Sequence, residues 1–283
     1  MDKKVLLTRT LTGIVFGVIM VEGMIWNQYS FIALTTIICA GCLWEYYGMI
    51  SSTLSYKTER KLFFRISATI VGLIAFSFFV VPVFNILLIG YLVVALPLLF
   101  VLFAFELFSG ERRSFQNAGL NLLGIFYISI PIGLLHIIVF LQSNTHSSWF
   151  PGNINAVFGL LLLIWTNDTF AYLIGSLIGS HKMFPSVSPK KSWEGFFGGL
   201  IFSLIVGWLL SMWLTTLPLK DWLVFAVIAT VVGTAGDLFE SMIKRNLGLK
   251  DSGKIMPGHG GFLDRFDAFI FCIPFVFAYL FLK

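Results

Sequence analysis

Apolar positions run along this chain in long blocks, each closed by a short polar stretch. The blocks do not alternate apolar and polar residues with a period of two, so they read as helices and not as strands of a barrel. Their lengths lie near the ~20 residues a helix needs to cross the hydrocarbon core of a bilayer. The pattern predicts nine membrane spans, at residues 8–26, 29–50, 63–82, 84–107, 119–141, 154–178, 195–216, 221–240 and 267–282. The expected fold class is an all-α polytopic membrane protein. No repeat, low-complexity tract or linker divides the chain, so residues 1–283 are expected to form a single integral membrane domain.

Composition strengthens this picture. Hydrophobic residues make up 58% of the 283 positions and charged residues only 12%; soluble domains carry about 25% charged residues. A soluble protein with a large core is thereby excluded. The start, "MDKKVLLTRTLTGIVFGVIMVEG", has the basic head and apolar body of a signal peptide, but no clean small-x-small site follows it, and it is expected to be a retained first helix. Cys39 and Cys42 form a C-x-x-C inside an apolar block, where small packing residues are expected and a redox pair is not. Cys272 is alone in the last block, so neither a disulfide framework nor a zinc site follows. His136 and His146, in or near the polar loop "QSNTHSSWFPGNIN", are read as packed or solvated.

The basic residues sort to one side of the nine spans. Lys3, Lys4 and Arg9 precede or enter the first, and Lys57, Arg60, Lys61 and Arg65 lie between the second and third. Arg112 and Arg113 follow the fourth, Lys182, Lys190 and Lys191 follow the sixth, and Lys244, Arg245, Lys250, Lys254 and Arg265 follow the eighth. Only Lys220 and Lys283 fall on the other side. Excess Lys and Arg marks the cytoplasmic face. The N-terminus is therefore expected in the cytoplasm and the C-terminus outside.

Two cytoplasmic segments carry the candidate chemistry, residues 165–195 and 233–267. Each begins with an acid still inside an apolar block, Asp168 in one and Asp237 in the other. A charge at the centre of a membrane helix costs about 2.5–3.5 kcal/mol on insertion scales, and such acids are found mainly facing a polar cavity, a metal or a cation. A helix-packing hydrogen bond is the plainer reading for Asp168. Residues 237, 240, 241 and 244 share one helical face, which sets Asp237, Glu240, Ser241 and Lys244 together, and such a face cannot meet lipid. Beyond it come Arg245, Lys250-Asp251 and the turn Pro257-Gly258-His259-Gly260-Gly261. Glycines let backbone N–H groups approach and cradle an anion, and Lys and Arg add positive charge. Asp264 and Asp267 follow at helical spacing, and carboxylates beside a phosphate nest point to a bridging Mg²⁺. The pattern reads as handling of a nucleoside triphosphate or pyrophosphate, without a Walker A loop or a dinucleotide fingerprint. A loop that merely holds anionic lipid heads would explain the lysines and arginines, but not the acids and the Pro-Gly-His-Gly-Gly turn. In "SVSPKKSWEG", Ser188, Lys190 and Lys191 stand just before a helix start, where phosphate is favoured, and Ser192 is a candidate N-cap.

The run Ser241-x-Ile243-Lys244-Arg245, Lys250-Asp251, Pro257-x-His259-Gly260-Gly261-Phe262-x-Asp264-Arg265-Phe266-Asp267 resembles the signature of the phosphatidate cytidylyltransferases, the CDP-diacylglycerol synthases. "NDTFAY" and "SPKKSWEG" also look like that family, as do the length and polytopic layout. Met256 stands where the family has Leu, Ile or Phe, and Lys190-Lys191-Ser192 where it has one lysine and a threonine. The resemblance implies that CTP and phosphatidic acid give CDP-diacylglycerol and pyrophosphate. It implies a divalent cation, Mg²⁺, with K⁺ as a candidate companion. Asp237 and Asp264 then become the leading metal ligands, followed by Asp168 and Asp267. Lys244, Arg245, Lys250 and Arg265 would neutralise phosphates, and Lys190 and Lys191 would hold either the lipid phosphate or the triphosphate. Ser188, Ser241, Gly260 and Gly261 complete the phosphate contacts, Asp251 belongs to the catalytic set, and His259 either donates to a phosphate oxygen or shapes the turn. The expected partners are CTP, phosphatidic acid and the bilayer, with a homodimer as a candidate assembly and no nucleic acid. The expected location is a bacterial plasma membrane, with the active site facing the cytoplasm.

Rival readings are another CTP-dependent lipid-activating enzyme, an ion-coupled transporter using Asp168 and Asp237, and a lipid-binding scaffold without turnover. The Asp-Gly-x-x-Ala-Arg segment of CDP-alcohol phosphotransferases is absent.

Overall fold

The computed structural model describes residues 3–53, 58–81, 97, 114–141, 154–253 and 260–283. The expected span at 84–107 (apart from Pro97), Lys57, Arg112, Arg113, His146, Lys254, Met256, Pro257, Gly258 and His259 lie outside the described residues.

The described helices are α1 (Lys3–Ile25), α2 (Gln28–Thr53), α3 (Thr58–Val80), α4 (Ser114–Gly124), α5 (Ile130–His136), α6 (Ile154–Ile178), α7 (Trp193–Trp213), α8 (Leu219–Asn246) and α9 (Asp267–Leu282). Wider π-helical turns occupy Ile125–Ser129 and Ile137–Leu141. Among the described residues six helical stretches are long and apolar enough to cross a membrane: Gln28–Ser51, Lys61–Val80, Ala118–Phe140, Ile154–Ile178, Trp193–Trp213 and Leu219–Asn246. Thr12–Ile25 and Asp267–Leu282 are shorter apolar helices. The architecture is thus mainly α-helical, as expected of a membrane protein. One feature departs from an all-helical reading: β1 (Lys182–Phe184) and β2 (Ser188–Ser192) form an antiparallel hairpin in the loop between α6 and α7.

The chain divides into two compact units, neither continuous in sequence. The first holds residues 1–137 and 251–265, and the second residues 138–250 and 266–283.

In the first unit α2 is the hub, packed against α1, α3, α4 and the short 3-10 turn Leu263–Arg265. Lipid supplies no hydrophobic drive between helices, so close packing and interhelical hydrogen bonds must hold them. Tyr46 and Tyr47 are fully buried and donate to the carbonyls of Leu120 and Asn121, each at 2.9 Å. Gly124 makes room for both rings, since a Cβ there would sit 2.7 Å from each. His136 is buried between the edges of Phe31 and Phe76, with Nε2 3.2 Å from Thr35 Oγ1. It is a packed residue, as its isolation in the sequence suggested.

In the second unit α7 lies along α6, and α8 packs on α6, α7 and α9. Gly175, Gly195, Gly198 and Gly199 carry the α6–α7 contact; a Cβ on Gly195 would come 2.6 Å from the Ala171 carbonyl. At the opposite end, Tyr279 and Lys283 both donate to buried Asp221 and tie α9 to the start of α8. Trp222 is fully buried against Gly159, where an added Cβ would lie 2.1 Å from the indole ring. The Gly159→Ala protein should therefore lose stability by about 1–3 kcal/mol, the usual cost of overpacking. A thermal-unfolding midpoint in detergent equal to that of the wild type would contradict this contact.

Helix α8 runs to Asn246, six residues beyond the apolar block that predicted it. Its polar end stays helical because hydroxyl, carboxylate and ammonium groups four residues apart satisfy one another. Gly248, with φ +69°, then ends it: the Gly248 N–H reaches the Arg245 carbonyl and the Leu249 N–H the Lys244 carbonyl. The glycine of "NLGL" is a helix stop.

Candidate functional site

The second unit contains a cavity of about 640 Å³. Asn167, Asp168 and Tyr172 of α6 line it, with Lys182, Lys190 and Lys191 of the hairpin and Asp237 of α8. The hairpin sets its lysines over one end of α6 because its base is pinned. Glu194 accepts from the Ser180 hydroxyl at 2.7 Å and the His181 backbone at 3.1 Å, and lies 2.6 Å from His181 Nδ1. Ser192 caps α7, its hydroxyl accepting the Gly195 N–H at 3.2 Å. Polar residues that read only as loop chemistry in the sequence thus hold a small sheet at the cavity mouth.

Three carboxylates converge, one of them lining the cavity. Oxygen atoms of Asp237 and Glu240, one turn apart on α8, and of Asp267, at the start of α9, lie within 4.8 Å of one another. Glu240 and Asp267 are buried and Asp237 is partly exposed to the cavity. Lys191 Nζ meets Asp237 Oδ2 at 2.6 Å. Ser241 donates to Asp237 Oδ1 at 3.3 Å. Lys244, itself buried, contacts Glu240 at 2.7 Å. Asp168 is close enough to act electrostatically on Asp267.

Three like charges this close repel unless cations lie among them. Lys191 and Lys244 supply two from the protein. A set of hard carboxylate oxygens beside an open cavity also suits Mg²⁺, which is held by one or two carboxylates together with substrate phosphates. The residues present fit such an ion.

The remaining candidates divide between the units. Lys190 is exposed beside the cavity and Ser188 is half-buried in β2. Arg245 is exposed and donates to the Leu249 carbonyl at 3.1 Å, and Lys250 is exposed. Asp251, Gly260, Gly261, Asp264 and Arg265 belong to the first unit. There Asp264 Oδ2 accepts the backbone N–H of Gly261 at 2.8 Å and of Ser252 at 3.3 Å. Gly260 has φ +86°, a conformation glycine adopts without cost. Asp264 is built into the turn of the signature loop, whereas Asp267 stands in the carboxylate cluster of the second unit.

The sequence reading did not single out Lys182, Asn167 or Glu45. Glu45 sits inside the apolar block of α2, 2% exposed, and its Oε2 accepts from Ser252 Oγ and from the Leu263 N–H, both at 2.9 Å. The cost of an acid among apolar residues, which drew attention to Asp168, applies equally to Glu45.

A model of the cytidylyltransferase family matches residues 7–283. The chain belongs to this family. Among curated cytidylyltransferases it is similar to proteins named phosphatidate cytidylyltransferase from Staphylococcus saprophyticus, 41% identical over 177 residues, and from Staphylococcus haemolyticus, 40% identical over 177 residues. The protein of that name from Staphylococcus aureus is 38% identical over the same length. Each match covers 62% of this chain and 64% of the relative's length.

Proposed function

We propose that the chain is a phosphatidate cytidylyltransferase, converting CTP and phosphatidate to CDP-diacylglycerol and pyrophosphate. The observation that carries this is the cluster of Asp237, Glu240 and Asp267, whose Asp237 lines a cavity shared with Lys182, Lys190 and Lys191, in a chain of this family. An anionic oxygen of the lipid phosphate attacks the α-phosphorus of CTP. A new P–O bond forms, the bond between the α-phosphorus and its bridging oxygen breaks, and pyrophosphate leaves with that oxygen's electron pair. The nucleophile is already ionised, so the task is to bring two polyanions together and stabilise the charge on the leaving group. Positioned cations and N–H donors do this.

Lys191 and Lys244 hold the carboxylates in place, and Lys182 and Lys190 offer positive charge to phosphates entering the cavity. Asp237, Glu240 and Asp267 would hold Mg²⁺, with K⁺ as its companion; when bound, the divalent ion neutralises phosphate charge. The one-sided distribution of Lys and Arg supports a cytoplasmic N-terminus, nine spans and a site facing the cytoplasm of a bacterial plasma membrane. That placement suits a water-soluble nucleotide and a lipid substrate that arrives within the bilayer.

The test is turnover of the purified full-length protein in detergent with phosphatidate, labelled CTP and Mg²⁺. Labelled lipid and pyrophosphate are expected in equal amounts, both are expected to vanish with a chelator, and both are expected to return when Mg²⁺ is restored. A folded protein that makes neither product overturns the assignment, and turnover that persists in chelator overturns the metal.

A further inference from the structure

We propose that Glu45, far from the signature in sequence, is the positioning residue that fixes the two described flanks of the signature loop, residues 251–253 and 260–265, against each other. This rests on reading that loop as the phosphate-handling element. Two donors converge on a single carboxylate oxygen: the Ser252 hydroxyl and the Leu263 backbone N–H, each 2.9 Å from Glu45 Oε2. Ser252 precedes residues 254–259 in the chain and Leu263 follows them, so one side chain of α2 joins residues 252–253 to residues 260–265. The fit is close. A Cβ on Gly253 would lie 2.2 Å from Glu45 Oε1, and one on Gly261 would lie 2.6 Å from Oε2 and 1.8 Å from the Ser252 hydroxyl. Two of the loop's glycines therefore admit the carboxylate. Phe262 packs in the same way on Gly41, one helical turn before Glu45.

Asp264 works on the same turn from within, accepting from Gly261 and Ser252. Together the two acids satisfy the Ser252 hydroxyl and three backbone N–H groups. Arg65, which donates to the Trp44 carbonyl at 2.7 Å and stacks on the Trp44 ring, lies close enough to Glu45 to balance part of its charge. A buried carboxylate with charge-assisted hydrogen bonds in a low-dielectric setting is a rigid fastener. Such rigidity is needed where a loop that handles a triphosphate must keep its flanks in place, because a displacement of about 1 Å can cost about 100-fold in rate.

The experiment uses the full-length protein in detergent and three variants, Glu45→Leu, Glu45→Gln and Ser252→Ala. Turnover is measured over ranges of CTP and phosphatidate, and trypsin cleavage after Lys250 and Lys254 is timed without substrates. Glu45→Leu is expected to lower kcat/KM for CTP by about 10- to 100-fold, to leave KM for phosphatidate unchanged and to speed loop cleavage. Glu45→Gln keeps an oxygen that can accept both donors and should restore wild-type cleavage. If Glu45→Leu does not fold, Ser252→Ala, which removes one of the two fasteners, should speed cleavage in a monodisperse protein. Wild-type cleavage rates in a folded Glu45→Leu protein, or in Ser252→Ala, overturn the proposal. Faster cleavage in the variants, beside a wild type that makes no CDP-lipid, supports the positioning role and overturns the assigned reaction.

Discussion

Replacing Asp237 by Asn is expected to lower CDP-lipid formation by about 100- to 1,000-fold, the range seen when one charge-stabilising group is removed from a preorganised site. Asp237 is the member of the carboxylate cluster that opens on the cavity, and it links Lys191 of the hairpin to Ser241 of its own helix. The amide has nearly the same shape, so packing of α8 should survive. What is lost is a negative charge. Lys191 loses its counter-ion, and a divalent cation loses one anionic ligand. The residual activity should therefore need more Mg²⁺ for half-saturation, whereas the unfolding midpoint should change little. Initial rates over a Mg²⁺ titration, beside a melting curve, measure both. An Asp237→Asn protein with the wild-type rate and Mg²⁺ dependence would remove Asp237 from the site.

Lys244→Met should damage the protein in a different way, through stability first. Lys244 and Glu240 are both buried and 2.7 Å apart, one helical turn from each other. Taking away the ammonium leaves Glu240 charged in a poorly solvated place, beside Asp237 and Asp267. Breaking a buried pair from one side typically costs about 3–5 kcal/mol. The Lys244→Met protein is expected to unfold at clearly lower temperature and to lose turnover even where it remains folded. Adding Glu240→Leu should recover much of the stability, because Glu240 is then no longer left charged without its partner, but should not recover turnover, because a cluster carboxylate is gone. A single variant as stable as the wild type, or a double variant with restored activity, would contradict the pairing or the role of Glu240.

These two residues also show what could be read locally. The grouping of Asp237, Glu240, Ser241 and Lys244 follows from 3.6 residues per turn, so a one-dimensional pattern suffices to place them on one face. The Ser192 cap follows in the same way from a hydroxyl beside a helix start. Contacts that close over long sequence distances have no such period. Glu45 reaches Ser252 and Leu263 across 207 and 218 residues. The two acids of Asp264-Arg265-Phe266-Asp267 look equivalent by spacing. Their contacts differ: Asp264 accepts from the Gly261 and Ser252 backbone, whereas Asp267 lies with Asp237 and Glu240.

Among the described residues, six of the nine expected spans were legible in the order of residues, since continuous apolar length is a local property and lipid allows the backbone few alternatives. The two segments proposed to carry the chemistry also stood out, since acids, lysines and glycines gathered in an apolar chain have no use facing lipid. It took the packed fold to set Asp267 against Asp237 and Glu240 while Asp264 fastens a turn, to bring Lys191 of a hairpin onto Asp237, and to hold the signature loop with an acid of α2. Each of these depends on which helix packs beside which, a matter of side-chain fit between distant segments that no single stretch of sequence contains.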